Sequence, residues 1–367
     1  MSKYDFAVIG AGLFGATFAY EACKRGKKVL VLDRRDHIGG NCYTRELESI
    51  HVHAYGPHCF HTAHKPLWDY VSQFAEFNNF SLRGKANYQG RLYSMPLNLM
   101  TMQQVWRVST PQEALAKLES VKIPCKNPRN LEDFILSEVG HELYEMFIKG
   151  YTAKQWGREP RELPKSIIQR LPIRTHFNDR WFKDEHRWEG IPIGGYTAIF
   201  ERMLRQCEVK LNVDFLLDRS SITSLADRVV YTGPLDEYFD HCYGRLEYRS
   251  LRFEEEVLNG DFQGTAIVNY TEQAIPWTRI VEHKHFEFKQ DLPKTVITRE
   301  YPAPYTGSNP PFYPVRDEVN VKLYSQYAGL AARESTIFGG RLARYQYFDM
   351  DQTIANALSV VRSALDS

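Results

Sequence analysis

Apolar residues fall in short blocks separated by turns, and their spacing changes along the chain. Near the amino end, Phe6-Ala7-Val8-Ile9 is a continuous apolar run, the pattern of a strand buried on both faces. A helical stretch follows, and then a second continuous run, Val29-Leu30-Val31-Leu32. Between 81 and 97, strand-like segments flank Gln89-Gly90 and predict a hairpin. From about 98 to 170 the spacing is mostly helical. Thr110-Pro111-Gln112-Glu113 reads as an N-cap followed by proline at the first helical position. Asn130 opens a further helix whose apolar stripe is Leu131, Phe134, Ile135 and Val139. Loops rich in Pro and Arg interrupt this block at 124–129 and 158–164. Residues 191–196 launch a helix from 197 to about 206, and Arg228-Val229-Val230-Tyr231 reads as a buried strand. Residues 245–300 alternate apolar and polar, as in Ala266-Ile267-Val268-Asn269-Tyr270, and predict an antiparallel sheet. Ile337-Phe338 is a strand ending at Gly339-Gly340, and a helix from about 349 closes the chain.

The first two apolar runs enclose Gly10, Gly12 and Gly15, and the second ends at Asp33. Strand, glycine turn, helix, strand and acid together form a dinucleotide-binding fingerprint in its required context. Gly10 permits the tight turn, Gly12 admits a pyrophosphate to the backbone, and Gly15 lets helix and strand pack closely. The helix N-terminus then offers free N–H groups to phosphate, and Asp33 stands where a carboxylate holds ribose hydroxyls. The extension His37-Ile38-Gly39-Gly40-Asn41 resembles the FAD-binding variant of the fingerprint. The fold class is therefore α/β: a discontinuous FAD-binding, Rossmann-like domain (1–80, 195–240 and 318–367) with a helical insert (97–170). An antiparallel sheet domain takes up 81–96, 171–194 and 241–317.

Bulk properties narrow the classes. With 46 basic and 45 acidic residues the net charge is +1, so no nucleic-acid or membrane-surface footprint is built on charge. No apolar run approaches the roughly 20 residues that span a bilayer. The first strand begins so early that no signal peptide is expected. The six cysteines are scattered without paired spacing, which argues against a disulfide framework or zinc site and fits a reducing cytoplasm.

Four further clusters carry chemistry. Tyr55-Gly56-Pro57-His58-Cys59-Phe60-His61 places two histidines three apart. No convergent ligand set accompanies them, so a metal role is not expected; a flavin-edge role and a purely structural one stay open. Phe147, Tyr151 and Trp156 suit an aromatic slot for a base, where stacking is worth roughly 1–3 kcal/mol, yet Phe147 and Tyr151 also share a helix face for packing. Arg170, Arg174, Arg249, Arg279 and Arg341 sit among aromatics and prolines, and arginine's fork suits a diphosphate. Arg279, on an otherwise apolar strand, is the foremost of them. Tyr313 and Tyr347 offer hydroxyls to phosphate, and Asp349 stands at a helix start.

These segments spell a family. Gly-Pro-His-x-Phe-His at 56–61, Gly-Tyr-Thr-x-Lys-Gln-Trp-Gly at 150–157, Ile-Pro-x-Gly-Gly-Tyr at 191–196, Thr-Arg-Ile-x-Glu-His-Lys at 278–284 and Phe-Gly-Gly-Arg-Leu at 338–342 together resemble the prokaryotic UDP-galactopyranose mutases, nearly end to end.

The resemblance implies an isomerase that interconverts UDP-galactopyranose and UDP-galactofuranose without net redox change. Its cofactor is FAD in the reduced state, whose N5 forms a covalent iminium with the sugar. It also implies a cytoplasmic homodimer acting on a small UDP-sugar, with no nucleic-acid, membrane or metal partner. Arg170, on the mobile loop, Arg279 and His61 are the implied catalytic residues. Gly10, Gly12, Phe14, Gly15, Asp33, Gly40, Asn41, His58, His61, Arg341, Asp349 and Met350 are the cofactor set. Phe147, Tyr151, Thr152, Trp156, Arg170, Trp181, Phe182, Arg249, Asn269, Arg279, Tyr313 and Tyr347 are the substrate set. The loop 170–190 is expected to close over the nucleotide sugar. Trp181 stands where the family usually has tyrosine, and Asp33 where FAD-binding members often carry Glu; both departures admit a modified UDP-hexopyranose as substrate. The competing classes are a flavin oxidase of the amine-oxidase type and a flavin-free binding module on the same scaffold. The Arg and Tyr cluster speaks against the first, the intact glycine turn against the second.

Overall fold

A computed structural model describes residues 3–169 and 171–366. Strand Tyr4–Ile9 runs into the glycine turn, helix Leu13–Lys24 and strand Val29–Leu32. The two strands form the centre of a five-stranded sheet. Ala226–Tyr231 pairs on the far side of Tyr4–Ile9, with Ile337–Phe338 beyond it, and Glu208–Lys210 pairs with Val29–Leu32. Every pairing is parallel, so all five carboxyl ends meet at one edge, where ligands bind in open α/β sheets.

The continuous apolar runs follow from burial on both faces. Phe6, Val8 and Val31 pack with Phe18, Phe200, Met203, Ile354 and Val361, from helices Leu13–Lys24, Thr197–Leu204 and Met350–Asp366. Ala7, Ile9, Leu30 and Leu32 point the other way, toward Phe215, Ile222 and Tyr327.

A seven-stranded sheet forms the second layer. Its order is Tyr313–Pro314, Tyr248–Asn259, Lys294–Pro304, Arg279–Glu282, Ile267–Tyr270, Lys85–Tyr88 and Arg91–Ser94. The expected antiparallel pattern holds except between Ile267–Tyr270 and Lys85–Tyr88, which run parallel. The reason is topological: the hairpin 85–94 precedes the helical insert and joins the sheet through a long crossover rather than a tight turn.

Helices Leu99–Trp106, Pro111–Val121, Leu131–Tyr144 and Gly150–Trp156 make the insert. Thr110 and Glu113 form the expected capping box, and the Asn130 side chain accepts from the Asp133 N–H. Gly140 interrupts its helix at φ +73, and a Cβ there would lie 2.4 Å from the Val121 carbonyl oxygen. A π turn over Glu145–Lys149 then delivers the chain to Gly150–Trp156. Two small sheets escaped the sequence pattern: Thr44–Leu47 with Ile50–His53, and Phe60–Thr62 with Trp188–Gly190. No helix among the described residues is long and apolar enough to cross a membrane.

Candidate functional site

One cavity of about 850 Å³ runs from the carboxyl edge of the parallel sheet to the face of the second sheet. Its nucleotide end is a backbone cradle. Gly10 adopts φ +112, and a Cβ there would sit 2.0 Å from Thr232 Oγ1. A Cβ on Gly15 would lie 1.9 Å from the Gly10 carbonyl oxygen, and one on Gly40 would lie 2.9 Å from Gly12 Cα. Helix Leu13–Lys24 starts at Gly12 without a side-chain cap, so its first N–H groups face the cavity with the positive end of the helix dipole. Asp33 accepts the Ala11 N–H at 2.7 Å and the Arg35 N–H at 2.9 Å, which ties the glycine turn to the end of the second strand. Arg35 stacks 4.3 Å over the Tyr55 ring and donates to Asn41. Its buried Nη1 has no hydrogen-bond partner among the described residues. An unpaired buried guanidinium nitrogen and an uncapped helix end on one cavity wall fit the pyrophosphate of a bound dinucleotide.

The middle of the cavity is bounded by Gly56, Pro57, His58, Cys59 and His61. His58 Nδ1 lies 2.9 Å from the Gly56 carbonyl oxygen. Burial pulls its pKa down to about 4, so the ring is neutral near pH 7. His61 stacks on Phe182 at 3.5 Å and places Nδ1 2.7 Å from Nδ1 of His186. Two nitrogens that close share one hydrogen, which gives the two rings complementary roles as donor and acceptor. Burial raises the Cys42 thiol to about 12 and the Cys59 thiol further, so neither is a thiolate near neutrality.

The far end carries charge and aromatic rings. Arg279 donates from Nε at 2.9 Å and Nη2 at 2.8 Å to one oxygen of Glu300, which is 1% exposed. Burial opposes the Arg279 charge, but Glu300 outweighs it and raises the pKa, so the guanidinium stays charged. Tyr313 and Tyr347 stack at 5.9 Å, and Arg341 lies 4.5 Å over the Tyr347 ring. Burial, then the Glu300 charge, push the Tyr313 hydroxyl up, so it remains a donor. Phe147, Tyr151, Thr152, Trp156, Trp181 and Asn269 complete this wall.

Of the residues singled out in sequence, Arg170 lies outside the described residues. Of the rest, the cofactor set lines the cavity, as does the substrate set except Arg249. Arg249 is held beside that wall: its Nε donates to the Gln155 carbonyl, its guanidinium lies close to Gly157, and it pairs with Tyr313. Arg174 leaves the diphosphate set. It is buried and donates to the carbonyls of Arg180 at 2.7 Å and Phe182 at 2.7 Å. Together with Arg180–Glu189, Asn178–Asp184 and Arg83–Asp179, it straps down the segment from 174 to 190. Strand Trp188–Gly190 and the Trp181 N–H are also tied to neighbouring strands and loops, so the described part of the expected lid lies packed against the cavity.

Sequence reasoning missed Glu300, an acid on an alternating strand with nothing to distinguish it. It also missed Glu237 and His186. Glu237 accepts from Tyr305 at 2.7 Å near Arg34. It follows the carboxyl end of strand Ala226–Tyr231, a position that parallel pairing makes part of the ligand edge. The trio Asp261, Glu282 and His285, which holds metal-type donors close together, lies outside the cavity.

Comparison with known proteins agrees with this geometry. A profile of the UDP-galactopyranose mutase family matches residues 146–347, and one of an NAD(P)-binding Rossmann-like domain matches residues 8–74. A probable UDP-galactopyranose mutase of Klebsiella pneumoniae is 40% identical over 374 residues, covering 100% of this chain and 96% of that protein. A dTDP-fucopyranose mutase of Escherichia coli is 36% identical over 362 residues, covering 96% of each. The crystal structure of a reduced UDP-galactopyranose mutase superposes with a TM-score of 0.78 at 14% identity, over 99% of this chain and 96% of that one.

Proposed function

The chain belongs to the UDP-galactopyranose mutase family, and from that premise we propose that it is a flavin-dependent isomerase converting UDP-galactopyranose to UDP-galactofuranose and back, with reduced FAD as the working cofactor. The observation that carries this reading is the single cavity joining the glycine cradle to Arg279, Tyr313 and the aromatic wall. A cofactor and a diphosphate-linked sugar can occupy one continuous space there.

Gly10, Gly12, Gly15, Asp33, Arg35, Gly40 and Asn41 would hold the dinucleotide, with His58, His61, Arg341, Asp349 and Met350 along the rest of its length. The chemistry the reduced cofactor supplies is that of a nucleophile toward the anomeric carbon. The protein's own task is positioning. Arg279 and the hydroxyls of Tyr313 and Tyr347 would bind the diphosphate as it departs and hold it for return; charge-assisted contacts of this kind contribute roughly 1.5–3 kcal/mol each. Tyr151, Trp156, Phe147 and Trp181 would flank the base and sugar and exclude water. Holding the reactants in register can account for roughly 7–11 kcal/mol of a barrier. Arg170 belongs to this reading as the diphosphate contact on the lid side, and the assembly is read as a homodimer.

The dTDP-fucopyranose mutase relative supports a second substrate class, a deoxyhexose on a thymidine diphosphate. Both readings meet in one assay. Purified protein is incubated with UDP-galactofuranose, and separately with dTDP-fucopyranose, with and without dithionite, and the products are separated by chromatography. Conversion of the UDP-sugar that requires reduction is the expected result. Conversion of the dTDP-sugar alone would move the substrate assignment, and conversion of neither by protein that still carries flavin would overturn the isomerase reading.

A further inference from the structure

The six cysteines are so widely spaced in sequence that no pair suggests itself, yet the fold brings two of them together. Cys23 lies in the last turn of helix Leu13–Lys24. Cys207 follows helix Thr197–Leu204 and stands one residue before strand Glu208–Lys210. Their sulfurs are 3.4 Å apart, although 184 positions separate them in sequence. Both are free thiols and both are partly exposed. We propose that Cys23 and Cys207 form an oxidisable dithiol, a modification site at which a peroxide converts the reduced protein to a form with one internal disulfide and a dithiol reductant returns it.

The surroundings favour closure over wider oxidation. Each sulfur sits on a segment already fixed by backbone hydrogen bonds: Gly26 N–H to the Cys23 carbonyl at 2.9 Å, and Cys207 N–H to the Leu204 carbonyl at 2.9 Å. Leu30 pairs with Glu208, so the strand after each cysteine lies beside the strand after the other. Bringing the sulfurs to the usual bond length of about 2.05 Å therefore calls for a side-chain adjustment rather than a backbone rearrangement. The two thiols are also unequal. Beyond the contact they share, and against burial, the Cys23 sulfur takes a hydrogen bond from the Val29 N–H, which favours its thiolate. Cys23 is thus the nucleophile and Cys207 the resolving thiol.

The chemistry balances. The Cys23 thiolate attacks one peroxide oxygen; an S–O bond forms, the O–O bond breaks, and the departing hydroxide takes a proton to become water. The Cys207 sulfur then attacks the sulfenic sulfur. An S–S bond forms, the S–O bond breaks, and the Cys207 proton leaves with the hydroxyl as a second water. Two thiols are oxidised by two electrons and one peroxide is reduced.

The link would join the first nucleotide-binding helix to the returning segment of the same domain, enclosing the whole helical insert. Cross-links that close long loops restrict the unfolded chain most, so the oxidised protein should melt several degrees higher. The site lies outside the cavity and is independent of the isomerase reading.

The test uses full-length protein with the exposed Cys125 and Cys242 changed to serine, which should leave turnover unchanged. Reduced, desalted protein is treated with hydrogen peroxide, its remaining thiols are alkylated, and it is digested and mapped without reductant. A Cys23–Cys207 linked peptide, lost on dithiothreitol and accompanied by the higher melting temperature, is expected. In the C207S variant Cys23 should instead be trapped as sulfenic acid by dimedone. Cys23 carried on to sulfinic acid beside an intact Cys207 would overturn the proposal. So would both thiols remaining alkylatable at a peroxide dose that fully oxidises added glutathione.

Discussion

Replacing Glu300 with alanine should cost more stability than its two contacts suggest. Its side chain is 1% exposed, one oxygen accepts from both Nε and Nη2 of Arg279, and the other oxygen has no partner among the described residues. Removing the carboxylate therefore strands a guanidinium rather than merely deleting hydrogen bonds. Breaking a buried ion pair from one side costs about 3–5 kcal/mol. The Arg279 side chain keeps 21% of its exposure, so water relieves part of that penalty, and about 3 kcal/mol is the expected loss. In a chain of this size each kcal/mol moves the melting point by about 2 °C, which gives a fall of about 6 °C. Calorimetry on Glu300→Ala, Glu300→Gln, Arg279→Ala and the Arg279→Ala/Glu300→Ala pair would measure it. The double variant should be more stable than Glu300→Ala alone, because no charge is left stranded. Additive losses, or a Glu300→Ala shift within about 1 °C, would refute the reasoning.

Gly15→Ala should abolish flavin binding, since its Cβ would meet the Gly10 carbonyl at 1.9 Å; a purified variant with the parental ratio of flavin absorbance to protein would refute it. Acid should destabilise the fold through neutral buried histidines. Burial holds His58 at about 4 and His283 at about 3, below the unfolded value near 6.5. The unfolded chain therefore takes up protons first as pH falls. Stability is complete above pH 6.5 and lost toward pH 3–4, by up to about 3 kcal/mol for His58. Urea unfolding should show the decline between pH 7 and 4, and a flat profile would contradict it. Arg174→Met removes the donors that gather the carbonyls of 180 and 182, so Trp181 emission should broaden and shift to the red; an unchanged spectrum would show that the strap is dispensable.

What could be read from sequence divides along physical lines. The glycine turn was legible because each glycine answers a local demand: a positive φ at Gly10, backbone approach at Gly15. Helix starts were legible because a cap and its partner lie three residues apart. The arginines were not. That Arg249 is engaged by the Gln155 carbonyl and the turn at Gly157 depends on strand pairing, and Arg174 is engaged by its own loop's carbonyls. Glu300 looked like any acid in an alternating strand until pairing set it opposite Arg279. Glu237 required knowing that residues 226–231 run parallel to the first strand.

The order of the parallel sheet has a consequence for how the molecule is made. Its central strand and its neighbour at 29–32 are synthesised together, yet the neighbour on the other side arrives at 226–231, the edge strand beyond that at 337–338, and the helix covering Leu13–Lys24 spans Met350–Asp366. A ribosome therefore releases the glycine turn long before the walls that complete it, and the apolar face of the first helix waits first for helix Thr197–Leu204 and then for Met350–Asp366. A nucleotide cofactor would therefore be captured only once segments made long after the turn have folded. A chain stopped short of residue 350 keeps every glycine of the fingerprint but lacks the helix that closes over it.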